Sequence, residues 1–205
     1  MPLRIYNGIL CCEKDNGLID RHVAQLSTLG QPMTHCLYYG MEGQAASQWP
    51  HYRVGLHEAY ENITGKVYCA FKHALTVPDW DLFFKTDVTS RVVSVDWDLA
   101  ARSDLTGWVT SIIGPLGRSQ MDRHYSTKRY TERALDEVFP GEPPKQWIGG
   151  PAYVASRKLI ALVVQRGIWT ARSWQAEDVY IARVAADHGI IPVHGVEYEA
   201  WTAPA

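Results

Sequence analysis

This chain lacks the features that mark several large protein classes. No apolar run approaches the length a membrane-spanning helix needs, and the N-terminus carries no signal-peptide pattern. Excess charge is missing too: the formal net charge is −2, so no overall basic field favours nucleic acid. Cysteine is scarce. Cys11, Cys12, Cys36 and Cys69 form no Cys-x-x-Cys pair and have no accompanying histidine spacing of a zinc site. All four stand in apolar surroundings and read as buried, reduced thiols, which fits a cytoplasmic protein. Cys11 and Cys12, as strand neighbours, are expected to face opposite sides of a sheet. Repeats, low-complexity tracts and a dividing linker are all absent, so the 205 residues read as one domain with a substantial core.

What the chain does have is an alternation of short apolar runs and helical patterns. Leu3 to Cys12 reads as a first strand, and Asp15-Asn16-Gly17 as a turn. Leu18, Ile19, His22, Val23 and Leu26 keep one apolar face at helical spacing until Gly30 ends it. Met33 to Tyr39 is a second strand. This β-α-β opening implies a parallel pair. A loop follows from Gly43 to Gly55, then a helix from Glu61 to Leu75, stopped by Pro78. Beyond the strand ending at Asp87, Val92 to Ala101 reads as a short helix and Gly107 to Ile113 as a strand. Trp147 to Val154 returns to the core. Helices are expected from Ser156, its cap, to Gln165 and from Ala176 to His188, with a last strand from Ile190 to Val196. The chain also holds 8 Trp and 11 Tyr, rings that suit both sugar faces and cores.

The stretch Asp79-Trp80-Asp81-Leu82-Phe83-Phe84-Lys85-Thr86-Asp87 is a doubly buried strand that runs into charge. Ligands of open α/β sheets bind just beyond the carboxyl ends of the strands, where Lys85 and Asp87 would meet a phosphorylated group. A charged surface turn is the plainer reading. Gly117 to Arg133 interleaves Arg118, Arg123, Lys128, Arg129 and Arg133 with His124, Tyr125 and Tyr130, and reads as a surface segment, either solvated or ligand-facing.

Four stretches then combine in order: Glu58-Ala59-Tyr60-Glu61-Asn62-Ile63-Thr64-Gly65-Lys66; Phe84-Lys85-Thr86-Asp87; Trp147-Ile148-Gly149-Gly150-Pro151-Ala152-Tyr153-Val154-Ala155-Ser156; and Glu177-Asp178-Val179-Tyr180 followed by His194. The set resembles glycosyltransferase family 31, the inverting β-1,3-galactosyltransferase and Fringe-like enzymes. The resemblance spans about residues 55 to 196. A weaker echo lies at Asp20-Arg21-His22, where that family has paired arginines.

The resemblance implies an α/β protein of GT-A fold, a Rossmann-like mixed sheet flanked by helices. Residues 1–90 would form the nucleotide-sugar half and 91–205 the acceptor and catalytic half. It implies a UDP-linked donor held by Arg21, Lys66, Lys85, Asp87 and Thr89. Asp178 would be the base that deprotonates an acceptor hydroxyl, with Glu177 as its backup. Trp147, Gly149, Gly150 and Tyr153 would face the acceptor. Gly149 and Gly150 would let backbone approach the sugar, and Trp147 or Tyr153 would stack on it. Asp87 and His194 would ligate Mn2+ or Mg2+. The chain departs from the family here, because the third aspartate of the strand-end motif is Thr89, and a neutral hydroxyl is a poor ligand for a hard cation. Two rival readings follow. One is a sugar- or nucleotide-binding relative without turnover. The other is a transferase acting on a hydroxylated base in DNA, with Arg123, Lys128 and Arg129 tracking the phosphate backbone.

Overall fold

The computed structural model describes residues 2–41, 48–57, 62–111, 146–167 and 177–200. In chain order the elements are β1 (Ile5–Leu10), α1 (Ile19–Leu26), β2 (Met33–Tyr39), β3 (His51–Arg53), α2 (Ile63–Thr76), β4 (Leu82–Asp87), β5 (Ser90–Val95), α3 (Trp97–Ala100), β6 (Leu105–Ser111), β7 (Gln146–Ser156), α4 (Arg157–Arg166), α5 (Glu177–Asp187), β8 (Val193–His194) and β9 (Val196–Ala200). Seven strands form a mixed sheet in the order β3-β2-β1-β4-β7-β6-β8, and β5 pairs with β9 in a separate ribbon.

The first four strands of the sheet run parallel, whereas β7 is antiparallel to both β4 and β6. From β1 the chain steps outward to β2 and β3, then crosses back to place β4 on the other side of β1. The strand order therefore reverses between β1 and β4, and a crevice opens beyond their carboxyl ends at such a switch point. Because β7 runs the other way, Thr86 pairs with Ala152. That register carries the amino-terminal half of β7, with Gly149 and Gly150, to the same edge.

Period-2 alternation divides the core in two. Tyr6, Leu10 and Phe83 pack with Val67, Phe71, Leu159, Tyr180 and Val184, so α2, α4 and α5 cover one face. Ile5, Ile9, Leu82 and Phe84 pack with Ile19, Val23, Leu26, Trp97 and Val196 on the other. The apolar stripe of α1 is the expected one, and Gly30 closes the 3-10 turn Ser27–Leu29 that follows it at φ +79, in the left-handed region that glycine adopts without strain. Ser156 caps α4 by accepting from the Leu159 N–H at 3.1 Å.

Three elements differ from the sequence-based expectation: β3 falls within the expected Gly43 to Gly55 loop, and two others are split. Val92 to Ala101 is not one helix. Its β-branched half is β5, paired with β9, and a new start at Asp96, whose carboxylate accepts from the Leu99 N–H at 2.9 Å, opens α3. Ile190 to Val196 is not one strand either. Pro192 lacks an amide donor, only Val193 and His194 pair with β6, and the chain then leaves through Gly195 for β9. The Gly117–Arg133 segment lies outside the described residues.

Candidate active site

On β4, Phe83 and Lys85 share a face, so the strand points a lysine into the side covered by α5. Lys85 is 1% exposed. Its Nζ lies 2.8 Å from Asp87 Oδ1 and 3.1 Å from Glu177 Oε1, and it donates to the Gly150 carbonyl. The ammonium thus has one hydrogen bond, to a carbonyl, and two ion-pair contacts, to carboxyls. The Tyr153 ring centroid is 5.6 Å from Nζ. A charge taken out of water survives only with this kind of full pairing. Burial pushes the lysine down, but Asp87 and Glu177 more than reverse that and hold it charged.

One cation faced by two carboxylates leaves an excess negative charge, which falls on Glu177. Burial raises it most. Lys85 pulls it back, Asp178 and Asp87 push it further, and it stands at about 8. Asp87 is also raised, first by burial, with Lys85 and Lys66 opposing. Both carboxyls facing Lys85 are thus shifted towards their protonated forms, by burial first.

The two glycines are explained by the chain's own side chains. A Cβ on Gly149 would lie 1.8 Å from the Tyr198 hydroxyl oxygen. One on Gly150 would lie 3.2 Å from Glu177 Oε2 and 3.5 Å from Asp178 Oδ2. The close approach that glycine permits is made by Tyr198 of β9 and by the start of α5. Asp178 is half-buried beside Gly150, and its Oδ1 accepts from the Val179 N–H at 2.8 Å. It sits in the first turn of α5, where the helix dipole favours a carboxylate. The Tyr198 hydroxyl is pushed up to about 12, by burial first and by Asp178 next.

At the end of β1, buried Lys66 of α2 donates to the Cys11 carbonyl at 3.0 Å, and its charge reaches Asp87. Cys12 Sγ lies 2.7 Å from Asp15 Oδ2 in the turn that follows. Beneath the edge, on the α1 face, Thr86 Oγ1 joins His22 Nε2 at 3.0 Å and the Asn7 amide at 3.2 Å. His22 is fully buried, and burial lowers it to about 4, so it is neutral.

The residues singled out from the sequence are thus partly gathered. Lys85, Asp87, Gly150, Glu177 and Asp178 share one cluster, with Gly149 adjoining and Lys66 at its β1 side. Tyr153 is fully buried below Lys85 and offers no surface for stacking. Trp147 is half-buried and pairs with Thr110. Thr89 is exposed in the β4–β5 turn. Arg21 is exposed on α1, across the sheet from Lys66 and Lys85. Arg123, Lys128 and Arg129 lie outside the described residues. Cys11 and Cys36 are buried, Cys12 and Cys69 half-buried, and none of the four is in a disulfide.

Asp87 and His194, the expected ligands of Mn2+ or Mg2+, each have one donor atom engaged within the protein. Asp87 Oδ1 is against an ammonium, and His194 Nδ1 accepts from the Val109 N–H at 3.3 Å. Among the described residues no group of three or more His, Cys, Asp or Glu is placed to hold a metal. Tyr198 and Trp108, whose ring centroids are 6.0 Å apart, were not evident from sequence reasoning. The one signal was the Val196, Tyr198, Ala200 alternation against Glu197 and Glu199.

No protein-family model matches this chain, and no curated protein matches it. Among solved structures, galactosyltransferase LgtC in complex with donor and acceptor sugar analogues is similar to it, with a TM-score of 0.53 at 9% sequence identity, over 92% of this chain and 72% of that one. At that identity the likeness concerns the fold: this chain has the GT-A glycosyltransferase architecture, a mixed sheet flanked by helices.

Proposed function

We propose that this chain is an inverting glycosyltransferase that moves a sugar from a UDP-linked donor to a hydroxyl acceptor, with Asp178 as general base. The observation that carries the reading is the half-buried Asp178 carboxylate at the switch-point edge, packed on Gly150 beside the Lys85–Asp87–Glu177 group. The galactosyltransferase of similar fold was solved with donor and acceptor sugar analogues, which supports sugar chemistry on this fold.

A base must be ionised and within reach of the proton it takes. Glu177 is buried, ion-paired and pushed up to about 8, so it suits that role poorly. Asp178, next to it and half-buried, suits it better. In the reaction the acceptor oxygen attacks the anomeric carbon from the face opposite the diphosphate. Its proton passes to Asp178, and the bond from the anomeric carbon to the phosphate oxygen breaks with its electron pair on the diphosphate. Charge builds on that leaving group and needs fixed positive charge nearby. Lys66, at the carboxyl end of β1, supplies it, while Lys85 holds Asp87, Glu177 and the Gly150 carbonyl in place from below. Residues 1–90 then form the donor half and 91–205 the acceptor half.

The test is a panel of UDP-, GDP- and TDP-sugars, read by release of nucleoside diphosphate and by the anomeric NMR signal of the product. The reading expects UDP release from a UDP-α-sugar and a β-configured product. An α-configured product overturns inversion, and a panel with neither binding nor release overturns the transferase reading.

A further inference from the structure

We infer that His22 and Gln25 of α1 are positioning residues for the nucleoside-diphosphate donor: together they clamp the two arms of the β4–β5 turn, which carries Asp87 and Thr89 at the donor edge. This rests on the reading of that edge as the donor site and names what fixes its geometry.

The layer beneath the edge is apolar: Ile5, Ile9, Leu82 and Phe84 pack there against Ile19, Val23 and Leu26. Beside that layer α1 carries two polar side chains, His22 and Gln25, whose spacing places them on one face of the helix. His22 meets the end of β4. Its Nε2 lies 3.0 Å from Thr86 Oγ1, and both residues are closed to solvent. Gln25 meets the start of β5. Its Oε1 accepts from the Val92 N–H at 3.3 Å and its Nε2 donates to the Val92 carbonyl. The side-chain amide thus does for β5 on one edge what β9 does on the other.

Hydrogen directions follow from the partners. The Asn7 amide donates to the Phe84 carbonyl at 2.8 Å and to Thr86 Oγ1 at 3.2 Å, so its oxygen faces His35, whose Nδ1 donates to it at 2.9 Å. Thr86 accepts from Asn7 and gives its own hydrogen to His22 Nε2. The proton of the neutral His22 ring therefore sits on Nδ1, which has no hydrogen-bond partner among the described residues. A buried polar chain is costly unless complete, and apolar side chains of the same shape would be no worse for stability. Its place in the fold gives it a use. It ends at Thr86, between Lys85 and Asp87, so the end of β4 is held on the α5 side by the Lys85 contacts and on the α1 side by His22. The Val88 N–H, inside the turn, donates to the Leu10 carbonyl at 3.2 Å and ties the turn to β1. Gln25 then fixes the returning arm.

The test is the affinity of the full chain for UDP, by calorimetry, together with NMR of the histidine ring nitrogens. The wild type shows the His22 proton on Nδ1. Thr86→Val keeps the shape of the side chain and removes the hydroxyl, whereas Thr86→Ser keeps the hydroxyl and removes a methyl. The clamp predicts that Thr86→Val weakens UDP binding per folded molecule about tenfold, the worth of one buried hydrogen bond, and that Thr86→Ser stays within about twofold. Packing alone predicts the opposite order. Gln25 is half-buried, so Gln25→Ala folds even if Thr86→Val does not, and it raises the donor KM by about threefold or more with a smaller fall in kcat. The opposite order of the two Thr86 variants, an unchanged donor KM in Gln25→Ala, or a His22 proton on Nε2 each overturns the inference. If the wild type binds UDP but these variants bind it equally well, the clamp alone is wrong. If the wild type binds no UDP, GDP or TDP, the donor reading fails and takes the clamp with it.

Discussion

Replacing Lys85 by methionine keeps the length of the side chain and removes only its charge and its hydrogens. The ammonium is 1% exposed and lies 2.8 Å from Asp87 and 3.1 Å from Glu177, so the variant leaves a buried Glu177 carboxyl and a partly exposed Asp87 carboxyl without their cation. Removing one partner of a buried pair costs about 3–5 kcal/mol. In a domain of this size 1 kcal/mol moves the melting temperature by about 2–4 °C, so the midpoint falls by roughly 6–20 °C. The pH dependence is a sharper test than the size of the drop. Glu177 already stands at about 8 in the wild type, above the usual carboxylate range, and Asp87 is raised as well. Without the ammonium both rise further. A group whose folded value is raised gives stability that is complete below its unfolded value and is lost as pH climbs through the folded one. The deficit of Lys85→Met is therefore smallest near pH 5 and grows towards pH 9. Adding Glu177→Gln returns part of the loss, because one of the two stranded charges is gone. Thermal melts across that range decide it, with the exposed Lys158–Asp104 pair as control, worth under about 1 kcal/mol. A Lys85→Met deficit no larger than the control, or one that shrinks as pH rises, refutes the account of this cluster.

Gly149→Ala places a methyl 1.8 Å from the Tyr198 hydroxyl oxygen, so the ring must move, at a cost of about 1–3 kcal/mol, and the double change Gly149→Ala with Tyr198→Phe recovers stability in a chemical melt. His22 is buried and lowered to about 4 from the usual 6.5, so stability is intact above 6.5 and is lost as pH falls from there towards 4, by up to about 3 kcal/mol; the substitution His22→Gln supplies a neutral amide that still partners Thr86, and it flattens that slope in melts taken across the same range. Since Asp87 is held by Lys85 and His194 by the Val109 amide, chelation leaves turnover within about twofold, whereas loss on chelation that manganese alone restores would return a metal to Asp87 and His194.

The parallel opening, the helix face of Ile19, Val23 and Leu26, and the strand ending at Asp87 were legible because each is a periodic apolar pattern with clear punctuation. Val92 to Ala101 misled because β-branched valines next to Trp97, Leu99 and Ala100 fit a helical stripe as well as a strand, and only pairing with β9 settles it. The site divides in the same way. Lys85, Asp87, Glu177 and Asp178 stand in short motifs and could be named, and the structure draws them together. What the motifs left open is the direction in which the charges point. Lys85 reads as a surface cation but is turned inward by strand alternation and matched by Glu177 from a helix far along the chain. The Gly149–Tyr198 approach and the β7 register shift opposite Trp108 depend on cross-strand register between distant segments, which no local pattern encodes.

The central claim is that Asp178 takes the acceptor proton, and Asp178→Asn tests it most directly. The amide keeps the shape of the side chain beside Gly150 and its contact with the Val179 N–H, but it cannot accept the proton. Turnover per folded molecule is the quantity to measure, with folding checked by thermal melt and donor affinity determined separately. The account predicts a fall of about two to four orders of magnitude with donor binding preserved. Near-normal turnover, accompanied only by a loss of roughly 1 kcal/mol of helix-terminal stability, would contradict it.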